Sequence, residues 1–466
     1  MTTYHSLDDL FQEAKPWPPD PARMAEYNEN IHIRDNELSE VWPDLNRKMR
    51  EDNKDELKTW LGYFWKSTQR AMDFLLGKQI QVGASKPDSS EDQSVRDFVA
   101  ASDFHQTLFE AMVDCDSLGD GLLKIYKDEE GKAVLQSNCP VIWYPIVEKG
   151  NLRRVLYHVL ATTFKRGEVS YLKVEIHSKN DIEHRVYELT TSVNSTALGA
   201  RLDFAGFSEE FPGIQEIETH GLGEFLVIPI SNIRTSKDVY GKSSYNYAAK
   251  SIAKKLIDRY NQVDRVLDKH SDPNLIGPKG MLELNPVTHK PMFRGGGRYF
   301  GYQHDPNMTP PKVEYVTWDG NLVPAETSIQ RQIGDLFNEL ELPPVAMAKD
   351  IQGAVVSGTA YRLMLTPLLA KVGRLERAMT PQAVKAIRLA MRYQGTPVDD
   401  VVIRVQDAMP KIPMEERQGI ALLGQMPQFA GDVGGAWLLQ QLDISAEKAD
   451  EIMKDPTRNG GFGGMV

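Results

Sequence analysis

Between residues 240 and 393 the apolar positions fall into helical stripes, interrupted by one stretch that cannot be helix. Tyr245, Ala249, Ile252, Leu256, Tyr260, Val263 and Leu267 recur at steps of three and four, which predicts an amphipathic helix with one buried face. The run from Ser244 to His270 would extend roughly 40 Å at about 1.5 Å per residue. Beyond it, Pro273, Pro278, Pro286, Pro291, Pro306, Pro310 and Pro311 exclude a long helix, while PKVEYVTW alternates and RYFGYQ is aromatic, so a compact β module is expected. A second rod follows, with Pro324 in its first turn and Ile329, Ile333, Leu336 and Leu340 on one face. Pro343 and Pro344 end it within LPPVAMAKDIQGAVV. Ser357 is then a natural N-cap, and Ala360, Met364, Leu368, Val372, Leu375 and Met379 mark the buried face of a long helix that Pro367 and Pro381 should kink or divide.

The first half of the chain mixes periods. Leu57, Leu61, Phe64, Trp65, Met72 and Leu76 predict a helix from Asn53 to Gly77, and KQIQV a strand after it. A helix around Val95 to Leu118 is broken by Gly119, Asp120 and Gly121 before the strand LLKIY, and Asp128 to Gly131 reads as the turn into AVLQ. RVLYHVLA, YLKVEIH and HRVYEL alternate as antiparallel strands do. Residues 1 to 40, broken by Pro16, Pro18, Pro19 and Pro21, read as a loosely held, partly ordered arm. The fold class is α+β.

At 466 residues the chain can bury the cores of two to four domains. Its net charge of −11 argues against gripping nucleic acid by phosphate neutralisation. It does not argue against letting DNA slide: if many copies formed a ring, an acidic lumen would repel phosphates from every side. No apolar stretch is long enough to span a membrane, and the amino terminus lacks the basic and then apolar pattern of a signal peptide. Synthesis in the cytosol is expected. Cys115 and Cys139 read as buried thiols. Gly295, Gly296 and Gly297 lack phosphate-loop spacing, and His177 and His184 lack that of a helical zinc pair. Asp114 with Asp116, and Glu129 with Glu130, read as solvated charge. No catalytic, cofactor or metal site emerges, although dispersed residues such as Asp120, His177 or His184 leave an α+β enzyme as an alternative.

Several segments, in this order, resemble the portal proteins (head-to-tail connectors) of tailed double-stranded DNA bacteriophages. They are MDFLLGKQIQV (Met72 to Val82), DSLGDGLLKIYKDEEGK (Asp116 to Lys132), FLVIPISNIR with VYGKSSY (Phe225 to Tyr245), VVSGTAYRLM (Val355 to Met364) and VVIRVQDAMPKIPMEERQ (Val401 to Gln418). The resemblance implies a ring subunit with an α/β wing, a two-helix stem, a small β-containing clip, a kinked long helix and a helical crown. It would divide the chain into an N-terminal arm (1–52), wing (53–240), first stem helix (241–270), clip (271–322), second stem helix (323–341), tunnel loop (342–357), long wing helix and strand (358–410), and crown with C-terminal tail (411–466).

The same resemblance implies a homo-oligomer, twelve-fold in the family, at one capsid vertex of the virion, made in the host bacterial cytoplasm. DNA would pass through it without sequence specificity. The terminase large subunit would dock on the clip, followed by head–tail adaptor proteins, with major capsid and scaffold proteins around the ring and no membrane or cofactor. Tunnel-loop residues facing DNA would be Val345, Met347, Lys349, Asp350, Ile351, Gln352 and Val355, where Lys349 beside Asp350 makes contact nearly neutral. The clip cations Lys279, Lys290, Arg294, Arg298 and Lys312 would either meet the motor or adaptor or simply be solvated.

Charge on the two rods is unequal: the first has six cations, among them Lys250, Lys254, Lys255 and Arg259, whereas the second carries Asp335, Glu339 and Glu341. Cations are expected to meet carboxylates between rods, with surplus carboxylates toward the duct. Ile252, Leu256, Val263 and Leu267 should pack against Ile329, Ile333, Leu336 and Leu340. A non-portal structural ring protein is a further alternative.

Overall fold

A computed structural model describes residues 2–45, 59–192, 195–271, 274–279, 283–284, 291–292, 299–303, 312–316, 322–347, 358–398 and 400–405. Helix and strand are both abundant, with the α+β character expected from the alternating periods.

The segment for which the name wing was expected contains helices α4 (Tyr63–Leu76), α5 (Ser90–Ala101) and α6 (Phe104–Leu118). In α4 the buried positions Phe64, Thr68, Ala71, Met72, Leu75 and Leu76 recur at helical spacing, and the N–H of Gly77 closes the last turn on the Asp73 carbonyl. The single helix expected around Val95 to Leu118 is two helices. Asp103, at φ 45°, breaks it, because a left-handed residue cannot continue an α-helix. Strand β2 (Asp120–Lys127) lies between β3 (Ala133–Asn138) and β10 (Val227–Ser231) in an antiparallel sheet. Strand β1 (Gln81–Ala84) pairs with β16 (Val401–Arg404), which joins the chain leaving α4 to the chain leaving the long helix.

That long helix is divided at the first of its two prolines and continues through the second. A short α9 (Gly358–Met364) stops at Leu365, and α10 (Thr366–Tyr393) starts with Pro367 in its first turn and carries Pro381 inside it. Leu368, Val372, Leu375 and Met379 are buried in the wing core, whereas Met364 is exposed, so the expected apolar face begins only after the break.

A second layer is the antiparallel sheet β4 (Trp143–Glu148), β5 (Asn151–Arg166), β6 (Val169–His177), β7 (Asp181–Ser192) and β8 (Ser195–Leu202), in that order, with β9 (Ile217–Thr219) also on β7. One face buries Val159, Ala161, Leu172, Val174, Ile176, Tyr187 and Leu189. The amino-terminal segment covers that face. Tyr4 bridges to Ile146 at one sheet edge and Pro16 to Ala197 at the other, and Tyr4, Leu10 and Trp17 are buried between. Helix α2 (Pro21–Arg34), capped by Asp20, then places Arg23 between the rings of Tyr144 and Tyr240, 4.5 and 4.4 Å from their centroids. The expected loosely held arm is thus corrected: the stretch before α2 supplies a strap and both sheet-edge pairings.

The other face of the sheet meets the wing along a polar seam. His158, His177 and His184 are buried there, with Lys124 and Lys173 both on Glu175. Burial pushes His158 down to about 3, and pushes His177 down against the pull of Glu175 3.5 Å away. Burial would raise Glu175, yet His177 and the two lysines hold its carboxyl well below the usual range.

Candidate functional site

The two rods are α7 (Tyr247–Ser271) and α8 (Val323–Glu339), and they pack against each other. Asn246 accepts from the Ala249 N–H and so caps α7, while Pro324 occupies the first turn of α8. They run antiparallel: Asn246 Nδ2 donates to Glu339 Oε2 at 3.1 Å, and Arg259 Nη1 to Ser328 Oγ at 2.9 Å. Between them lie Ala249, Ala253, Leu256 and Ile257 of α7 and Ile329, Ile333, Leu336 and Phe337 of α8. Of the residues expected to pack the rods, Leu256, Ile329, Ile333, Leu336 and Leu340 are buried, Ile252 and Val263 are half-buried against them, and Leu267 is exposed.

Ile33, Leu38, Trp42 and Leu45 join the same cluster, so the amino-terminal segment also braces the rods. Two cations of α7 spend their charge there. Lys250 pairs with Glu29 at 2.6 Å and Lys254 with Asp44 at 3.0 Å, instead of with the second rod. Asp335 and Glu339 are exposed, and Glu341 pairs with Arg374 of α10.

The base of the first rod is where two sequence motifs more than 100 residues apart interlock. Gly119 ends α6 at φ 104°, and a Cβ there would stand 2.5 Å from the Gly241 carbonyl oxygen; a Cβ on Gly241 would stand 2.0 Å from that of Gly119. Only glycine at both positions allows the backbones to meet. Asp120, fully buried, then accepts from the Gly241 N–H at 2.8 Å and from Ser231 Oγ at 2.6 Å. Burial raises its carboxyl to about 6, against these two bonds. Ser243 Oγ donates to the Ser117 carbonyl, and Ser244 Oγ to Asp116 Oδ1 at 2.6 Å. The glycines of DSLGDG and VYGKSS are therefore a joint.

Asp116 is the centre of a second, buried network. Lys371 of α10 lies 3.0 Å from Asp116 Oδ1 and 3.1 Å from Oδ2, and both residues are essentially inaccessible. Thr68 Oγ1 donates to Asp116 at 2.6 Å and lies 2.9 Å from the Tyr245 hydroxyl; Ser67 Oγ meets Lys371 and donates to the Leu340 carbonyl at the end of α8. One ion pair thus ties α4, α6, α10 and both rods. Sequence reasoning treated Asp116 as solvated and did not single out Lys371. The available signal was that each charge interrupts an apolar helical stripe, Asp116 after Leu108, Met112 and Cys115, and Lys371 between Leu368 and Leu375. Asp114 is likewise mostly buried; burial raises it to about 6 although Arg34 stands against it. Cys115 is buried as expected, Cys139 only half so.

After α8, Leu342 and Val345 are buried and Met347 half-buried, so Val345 turns into the wing core rather than outward. Lys349, Asp350, Ile351, Gln352 and Val355 lie outside the described residues, as does the 411–466 segment. In the module between the rods, β11 (Asn274–Pro278) pairs in parallel with β14 (Tyr299–Tyr302) and antiparallel with β15 (Glu314–Val316). Lys279 and Lys312 are exposed beside it; Lys290, Arg294 and Arg298 lie outside the described residues. Of the residues that left an enzyme open as an alternative, Asp120 serves the joint, and His177 and His184 lie in the seam. Among the described residues, no group of three or more His, Cys, Asp or Glu side chains is disposed to hold a metal ion.

No curated protein matches this chain. A family model, phage portal protein, SPP1 Gp6-like, matches residues 23–426, which span both rods, the module between them, the joint and the wing. The chain belongs to the phage portal protein family.

Proposed function

We propose that this chain is one subunit of a ring-shaped channel at a single capsid vertex, through which double-stranded DNA enters during packaging and leaves during ejection. Family membership carries the coarse statement, an oligomeric ring associated with a capsid, whose role is structural rather than catalytic. The observation that supports the finer one is the double rod, bolted at its base to the wing by the glycine joint and the Asp116–Lys371 network. A long hairpin fixed at its base and braced along one side by the amino-terminal segment suits a wall element better than a private core. The net charge of −11 suits a duct that does not hold its cargo.

Twelve copies, a tunnel loop at 342–357 that faces DNA only beyond its buried Leu342 and Val345, docking of the terminase large subunit and later of head–tail adaptors on the 271–322 module, and contacts with major capsid and scaffold proteins complete the reading. No described helix is long and apolar enough to cross a membrane. Size-exclusion chromatography with light scattering on the purified full chain tests it. The expected result is a discrete assembly near twelve chain masses; a stable monomer at every concentration overturns it.

A further inference from the structure

We propose that neighbouring copies meet through two charge-patterned rod stripes, Tyr247, Ser251, Lys255 and Asp258 of one copy against Arg331 and Asp335 of the next. This rests on the ring reading above and names the surface that would close it. A ring needs a heterologous contact, in which each copy offers two different and complementary surfaces. The rods offer such a pair. On α7, residues 247, 251, 255 and 258 follow helical spacing on the side away from α8; Tyr247 is 86% exposed and Lys255 exposed. Lys255 has no carboxylate partner among the described residues, unlike Lys250 and Lys254. On α8, Thr327, Arg331, Asp335 and Asn338 form an exposed stripe of the same spacing. Its own Arg331–Asp335 contact is 4.0 Å, at the edge of an ion pair, with the two side chains 84% and 53% exposed.

Read along α7 the charges run plus and then minus; read backward along α8 they run minus and then plus. Antiparallel rods from adjacent copies therefore place Lys255 toward Asp335 and Asp258 toward Arg331. The Asn246–Glu339 and Arg259–Ser328 bonds set the relative heights, with Lys255 level with Arg331. Both proposed pairs then need the same shift of about one turn, roughly 5 Å. Neighbouring rods at the usual separation of about 8–10 Å acquire that shift when they lean to the matching side of the ring axis. Tyr247 supplies an apolar anchor at the base of the stripe. Each exposed pair is weak alone, but reversal sets like charges against each other at every junction of the ring.

The test is a charge swap in the full chain, read as assembly mass by light scattering, with circular dichroism of each variant confirming the helix content. Lys255→Glu with Asp258→Lys is expected to shift the population from ring to subunit, and so is Arg331→Glu with Asp335→Lys. The chain bearing all four substitutions is expected to recover the ring. Rings from both double variants at wild-type yield overturn the proposal and leave the ring reading standing. Loss of assembly that the fourfold variant does not recover also overturns it. A wild-type chain that never assembles removes both.

Discussion

Lys371 and Asp116 show how one residue pair decides whether the parts of this subunit act together. Their charges are shut away from water, which costs several kcal/mol for each ion unless geometry and hydrogen bonds offset it. Thr68, Ser67 and Ser244 supply those bonds. Lys371→Met leaves the Asp116 carboxylate buried without its counter-charge, and denaturant titration is expected to show a loss of about 3–5 kcal/mol. Asp116→Asn added to it should recover part of that loss, since no charge then remains buried; a fully additive pair would mean that the two do not act as a unit.

His158 carries a pH dependence of definite sign. Its folded value lies near 3, against about 6.5 in an unfolded chain, so the unfolded state binds the proton first as pH falls. Stability from this residue is whole above about pH 6.5 and drains away below it. Asp120 works in the opposite sense, its carboxyl being raised to about 6, so the clean readout is a comparison between variants. His158→Gln retains an acceptor for the Trp143 indole N–H. The advantage of wild type over this variant should shrink by about 2 kcal/mol between pH 7 and pH 5. An advantage that is constant with pH contradicts a neutral buried His158.

The helices and strands of the wing, the rods and the long helix were legible because period and punctuation agree in them. Pro324, Pro367 and Gly119 stand where helix ends require them. The break at Asp103 was not legible, since a single left-handed residue leaves the 3.6-residue pattern nearly intact. The strap of residues 2–17 was hidden for another reason. Its order comes from the edges and face of a sheet formed later in the chain, which no local pattern announces. Likewise the motifs around Gly119 and Gly241 could be read singly, but not as partners.

Their contact makes a prediction at the element scale. Gly241→Ala inserts a methyl where only 2.0 Å is free and should pry the first rod from the wing, costing well over about 1 kcal/mol; Gly150→Ala, a positive-φ glycine in open space, should cost about 1 kcal/mol through backbone strain alone. Equal unfolding midpoints for the two variants would contradict a close-packed joint. Glu339→Lys tests the duct separately. It removes an exposed carboxylate that accepts a hydrogen bond from Asn246 Nδ2. Assembly should persist while DNA packaging falls, and normal packaging would take Glu339 out of the lining.

As a whole molecule the subunit is a body of helices and, among the described residues, three sheets, with a hairpin of rods fastened into it. The wing buries its own core, and the amino-terminal segment braces both wing and rods. What remains outward is the rod hairpin, with patterned charge rather than a sealed apolar face. Such a shape makes sense when repeated about an axis, and the sequence carried that conclusion only through the order of its motifs, because symmetry leaves no local trace in one chain. End-on particle images of the purified full chain test it most directly. The account predicts a closed ring whose rods surround a central hole wide enough for duplex DNA, and single compact particles, or a ring with no axial opening, would contradict it.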